Sequence, residues 1–262
     1  MGIHNSSRTR VTPVFDSLFE RDPTGRSWLL PLMRLGSRAA SVRLPTDAML
    51  LPDHQRTWGP NERRLNAPTP LLRWLVQNAS PPTSDALWGG KRARSYREKL
   101  VGRDPDTVRI ALEKLELSVP RRAWYVLEGQ SQPDAYLETT EFILVVEGKR
   151  TEREATSTTT WMPKRSQMLR HMDAASWATS GAKHVYGMMV VEGEGGRDAV
   201  MPSEYWIGES DAQVLEATLD CSLPHRAQPE RHAMANGFLG VTTWQGVCAA
   251  FSLPCPPTND AA

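Results

Sequence analysis

Asp134, Glu147 and Lys149 stand close enough along the chain to do chemistry, in the stretch PDAYLETTEFILVVEGK (133–149). Two carboxylates and an ammonium group around a glycine are costly at the end of an apolar run unless they serve something. In an extended strand alternate residues share a face, which puts Glu147 and Lys149 on one side, roughly 6.6 Å apart along the backbone. Gly148 between them has no side chain to crowd what its backbone approaches. Asp134 opens the preceding strand, with Pro133 outside the pairing, where its missing N–H does no harm. A short turn near 139–140 folds the two strands into an antiparallel hairpin and brings Asp134 beside Glu147. Two converging carboxylates and the Gly148 carbonyl form a hard-oxygen set suited to Mg²⁺ or Mn²⁺. Such an ion lowers the pKa of a bound water and offsets charge on a phosphoryl group, while a lysine serves the water and the anionic transition state. The bland alternative is a surface ion pair between Glu147 and Lys149, which leaves the partner acid unexplained.

These residues need elements to hold them. TPLLRWLVQNA (69–79), KRARSYREKLVGRD (91–104) and DPDTVRIALEKLEL (104–117) read as three helices, the second strongly basic. RAWYVLEG (122–129) is rich in β-formers and predicts a first strand, DAYLET a second and EFILVVEGK a third. A Ser/Thr-rich loop follows, then a long helix over WMPKRSQMLRHMDAASWATS (161–180) and a fully apolar strand in KHVYGMMVVEG. A strand of that composition is buried on both faces. The predicted order is thus α-β-β-β-α-β. Residues 1–104 form an arm and helical region, 105–192 the core, and 193–262 an acidic extension of the same domain.

Pro133-Asp134, a spacer, then Glu147-Gly148-Lys149 resembles the PD-(D/E)XK nuclease superfamily, the restriction-endonuclease-like fold, whose core is α-β-β-β-α-β around a mixed sheet. The resemblance implies that Asp134 and Glu147 hold the metal and that Lys149 assists the attacking water. It implies a positioning role for Gln167 on the following helix; His171 stands where many members carry a tyrosine. Some members add an acid from the helix before the sheet, for which Glu98, Glu113 and Glu116 are available. Glu128, at the end of the first expected strand, is a further candidate acid or a solvated strand terminus. The reading is a metal-dependent nuclease acting on nucleic acid, DNA ahead of RNA, with restriction, repair and phage defence all open as its setting. The alternative is an inactive nuclease-fold protein that binds nucleic acid or a partner protein.

Arg150, Arg153, Lys164, Arg165, Arg170 and His171 flank the site and could grip phosphates, although a charged helix face supplies the same list. Trp161 could stack on a base, and core packing is its bland role. His184 begins a strand and carries no assignment.

The chain has 262 residues and a net charge of +1, so no global basic field marks a polyanion partner. The charge is uneven: residues 1–191 carry 28 basic and 20 acidic side chains, and the remainder 3 and 10. An anionic ligand is drawn to the first part. No apolar run reaches the ~18 residues of a membrane span and no signal-peptide core opens the chain, so no membrane partner is expected. Three cysteines without metal-ligand spacing fit a reduced, cytoplasmic protein. Cutting both strands of a duplex favours a homodimer or larger complex.

Overall fold

The computed structural model describes residues 7–117, 120, 122–149, 160–196 and 198–256. The described helices are α1 (Thr12–Arg21), α2 (Leu29–Met33), α3 (Thr69–Asn78), α4 (Lys91–Val101), α5 (Pro105–Leu117), α6 (Gln167–Ala178), α7 (Glu204–Ala212), α8 (Glu216–Ser222), α9 (Gln228–Gly237) and α10 (Trp244–Ala250). The strands are β1 (Ala135–Glu138), β2 (Phe142–Gly148), β3 (His184–Val191) and β4 (Phe238–Thr243). They form one mixed α/β sheet in the order β1-β2-β3-β4, with β1 antiparallel to β2 and the other pairs parallel. Among the described residues no helix is long and apolar enough to cross a membrane.

Alternation along the strands explains why the sheet is covered on both faces. Phe142, Leu144 and Val146 of β2 join Tyr186, Met188 and Val190 of β3 in a core with α1, α2 and α10. Ile143 and Val145 join Val185, Met189 and Val191 in a second core under α6 and the C-terminal helices. Each such buried aliphatic side chain contributes about 1.5–3 kcal/mol relative to exposure. A third cluster, built on α3, α4 and α5, takes in Tyr125, Leu127, Trp161 and Met162.

The first expected strand is not formed. Residues 122–129 are irregular, because their backbone is claimed by a side chain: the Arg97 guanidinium donates to the carbonyls of Ala123 and Trp124. The place beside β1 goes to the arm. Leu65 exchanges two backbone hydrogen bonds with Ser131, Tyr136 N donates to Thr57 O, and Leu51 N donates to Glu138 O. The opposite edge is covered by the same arm, since Ser37 N and Arg38 N donate to the carbonyls of Val241 and Leu239 on β4.

The long helix begins later than its apolar spacing suggests. Ser166 caps it by accepting from Leu169 N at 3.2 Å, which leaves Pro163 and Lys164 in a turn before it. Strand β4 lies in a region whose pattern carries no clear strand signal. Its register against β3 slips between Gly187 and Met189, where Gly240 adopts a φ of 85°. A bulge of this kind breaks the alternation by which strands are read.

Candidate functional site

The hairpin sets the geometry. β1 and β2 pair with Ala135 opposite Val146, so one further step puts Asp134 opposite Glu147. Asp134 Oδ2 accepts a 2.7 Å hydrogen bond from Gly148 N, fixing the carboxyl at the outer edge of β2. A Cβ at Gly148 would sit 2.8 Å from Trp244 Cζ2 and 3.0 Å from Val11 Cγ2, so the close approach of these buried groups requires glycine.

Lys149 Nζ lies 2.9 Å from Glu147 Oε1 and donates to Gln167 Oε1 at 2.7 Å. Gln167 Nε2 donates in turn to Glu147 Oε1 at 2.7 Å, closing a three-membered ring of contacts. Gln167 is the first residue of α6, and His171 lies one turn on along the same face. His171 Nε2 is 3.0 Å from Glu147 Oε2, and its Nδ1 is 2.6 Å from Ser131 Oγ. Nε2 faces the Glu147 carboxylate as a donor, which leaves Nδ1 to meet the Ser131 hydroxyl.

The two acids are held in different protonation states. Burial, then repulsion from Glu147, pushes the Asp134 carboxyl up to about 8 in spite of the Gly148 amide. Burial also pushes Glu147 upward, but the His171 hydrogen bond and the charges of His171 and Lys149 outweigh it and hold Glu147 below the usual carboxylate range. At neutral pH Glu147 is ionised and Asp134 keeps a proton. Environments that drive paired carboxylates apart in this way are common where acid–base or metal chemistry is done.

A third carboxylate, absent from the sequence candidates, is coupled by charge to both acids. Glu62, in the arm, accepts from Ser7 Oγ at 2.5 Å. Its carboxyl is raised, first by burial and further by the charge of Glu147, and it raises Asp134 in return. No local signal marks Glu62, because more than seventy positions of chain separate it from Asp134. Ser131, three residues before Asp134, was also missed.

The other candidates are dispersed. Glu98 and Glu113 form i,i+4 pairs with Arg94 and Arg109 on the exposed faces of α4 and α5, and Glu116 pairs with Arg73. Glu128 is no solvated terminus: it is 3 % exposed and bound by Arg165 and Arg170, each at 2.7 Å. Arg165 is buried too, donating to Glu128, Asp173 and the Ser222 carbonyl, so it is not presented to a phosphate. Arg170 faces inward to the same acid and to the carbonyls of Gly129 and Gln130. His171 is buried against Glu147 and serves the acid instead of a ligand's phosphate. Lys164 is exposed beside the site. Arg150 and Arg153 lie outside the described residues. Trp161 packs edge-on against Trp88 at 5.4 Å, the bland role, and His184 is an exposed strand start.

Beside Lys149 opens a cavity of about 370 Å³ lined by Glu147, Lys149, Lys164, Gln167, Trp206 and Gln213 among others. That is enough for one small group, at the lower end of the usual range for ligand sites. Among the described residues no three or more His, Cys, Asp or Glu side chains are grouped as a metal cluster. Two carboxylates and a backbone carbonyl suffice for an ion that keeps several waters, as Mg²⁺ does. The donor set therefore fits such an ion: Asp134 and Glu147 crowd each other, and a cation between them would relieve the repulsion. Comparison of the chain with known protein families, with curated proteins and with solved structures returned no match.

Proposed function

We propose that this chain is a divalent-metal-dependent phosphodiesterase acting on nucleic acid, with DNA the first substrate to test. The observation that carries the reading is the pair of crowded carboxylates, Asp134 and Glu147, set against a lysine at the wall of an open cavity. The run α5-β1-β2-α6-β3 supports a restriction-endonuclease-like core, with the arm beside β1 where that fold carries its first strand.

Asp134, Glu147 and the Gly148 carbonyl would hold Mg²⁺ or Mn²⁺. When bound, the ion supplies positive charge to the phosphoryl oxygens and lowers the pKa of a water. Gln167 and Glu147 fix the Lys149 ammonium at the cavity wall, where it offsets phosphate charge and holds or yields a proton at Nζ. His171 clamps the second oxygen of Glu147 and is itself fixed by Ser131, so the acid cannot rotate away.

The test is incubation of the purified protein with linear duplex, circular duplex and single-stranded DNA, and with RNA, in Mg²⁺, Mn²⁺ or EDTA, beside Lys149→Ala. Metal-dependent cutting that the variant lacks supports the proposal; equal cutting by the variant removes Lys149 from the mechanism. A second reading, a non-cutting binding protein, is favoured by one observation: three donors already engage both oxygens of Glu147. Calorimetry with Mg²⁺ and Mn²⁺ separates the two. An absence of metal binding with nucleic acid present selects the second.

A further inference from the structure

The cavity beside Lys149 has two ends. One is the candidate site itself, reached through Glu147, Lys149 and Gln167. The other is built by α7 and α8, which contribute Trp206, Glu209 and Thr218, and no step described so far uses it. Met168, Met189 and Trp206 are buried and give the cavity an apolar floor. A sphere of 370 Å³ is about 9 Å across, narrower than the ~12 Å major groove alone, so a duplex cannot enter. One unit of a nucleic-acid chain can.

Most polar groups on the wall are already spent. Gln167 bonds Lys149 and Glu147, and Gln213 accepts from Ser166 Oγ and donates to the Glu209 carbonyl. Arg165 is turned to Glu128 and Asp173. The side chains of Lys164, Glu209 and Thr218 line the cavity and have no ion pair or hydrogen bond among the described residues. The free groups are thus one cation, one anion and one hydroxyl, with no net charge. Such a lining suits a neutral group with apolar faces and a polar edge better than it suits another phosphate. In a nucleic acid, that group is the base.

We infer that this cavity receives the base of a nucleotide next to the scissile phosphate, unstacked from its strand, with an amino-bearing edge turned to Glu209. A carboxylate only accepts hydrogen bonds. It pairs with the N4 amino group of cytosine and is repelled by the O4 acceptor that thymine carries in its place. Lys164 and the Thr218 hydroxyl supply donors for the ring acceptors. Taking a base out of a duplex is costly, and least so where it is already unpaired. The preferred substrate is therefore a single-stranded or mismatched stretch with cytosine at that position. The inference rests on the phosphodiesterase reading for the class of ligand, but its test uses no phosphodiester.

Binding of the free nucleosides deoxycytidine and thymidine, with deoxyribose as the base-free control, is measured by saturation-transfer NMR titration in EDTA. The unsubstituted chain is compared with Glu209→Gln, which keeps the size of the side chain, and with Thr218→Trp, which fills the cavity. Deoxycytidine is expected to bind about tenfold more tightly than thymidine, and deoxyribose not to bind. Glu209→Gln should erase that preference, because an amide both donates and accepts. Thr218→Trp should weaken both nucleosides about tenfold or more. An unchanged urea midpoint shows that a variant is folded; Glu209 is exposed, so its variant carries the test if the tryptophan is not accommodated. The absence of nucleoside binding overturns the inference, whether or not the protein cuts DNA. Equal binding of deoxycytidine and thymidine, or a preference that survives Glu209→Gln, overturns it too. The expected preference in a protein that never cuts in Mg²⁺ or Mn²⁺ keeps this inference and removes the phosphodiesterase reading.

Discussion

Replacing Asp134 by Asn in the metal-free protein should change how stability depends on pH. The folded carboxyl is raised from 3.8 to about 8, by burial first and by Glu147 second. Below the lower value both folded and unfolded chains hold the proton. Between the two values only the folded chain holds it, so stability falls as pH rises; above about 8 the loss is complete. Each unit of such a window corresponds to about 1.4 kcal/mol. Asp134 is only partly buried, and solvent screening reduces the figure by about half. From pH 5 to pH 8 the unsubstituted chain should then lose roughly 2 kcal/mol relative to Asp134→Asn, which carries no titrating group there. Urea unfolding in EDTA at pH 5, 6, 7 and 8 measures this as a difference between two curves, which removes the other titrating groups. Mg²⁺ at pH 8 should restore stability to the unsubstituted chain, by about 2.7 kcal/mol at a hundredfold excess over its dissociation constant, and not to the variant. Parallel pH curves for the two proteins would refute the proposed crowding of Asp134 and Glu147.

Gly148→Ala forces a methyl group against Trp244 and Val11, both fully buried, and should cost about 1–3 kcal/mol in chemical unfolding. His171→Ala removes the partner of Glu147 Oε2 and of the Ser131 hydroxyl. A loss of about 2–3 kcal/mol follows, seen as a Tm lower by several degrees, with cleavage reduced because Glu147 is no longer held. Asp173 is fully buried among Arg165, Arg226 and His225. Asp173→Ala removes the buried acid shared by Arg165 and Arg226 and should cost about 3–5 kcal/mol, read from the denaturation midpoint at pH 7. Burial raises the Asp173 carboxyl, but the His225 hydrogen bond and the arginine charges outweigh it, so its stabilising contribution is present above the ordinary carboxylate range and fades as acid is added.

What could be read in the sequence was what neighbouring residues decide. The pairing of Asp134 with Glu147 follows from strand alternation and a short turn, and both are local properties. The helical spacing of Gln167 and His171 puts them on one face, although their shared target, Glu147, becomes visible only once α6 is laid across β2. The first strand failed as a prediction because Arg97, more than twenty positions away, satisfies its carbonyls. Strand β4 escaped because Gly240 interrupts its alternation. Glu62 could not be found at all, since its relation to Asp134 exists only after the arm has folded over the sheet edge.

The clasp formed by that arm has a consequence for how the chain is made. Ser37 meets β4 at Val241, 204 positions later. At about 5–20 residues per second, a ribosome takes roughly 10–40 s to deliver the missing edge. During that interval Leu29, Leu30, Leu32 and Met33, all buried in the finished protein, have no β4 or α10 to cover them. The nascent arm is then a stretch of sticky chain that a holding chaperone would recognise. Slowing translation downstream of α9 should therefore lower the soluble yield without altering the stability of the molecules that do mature.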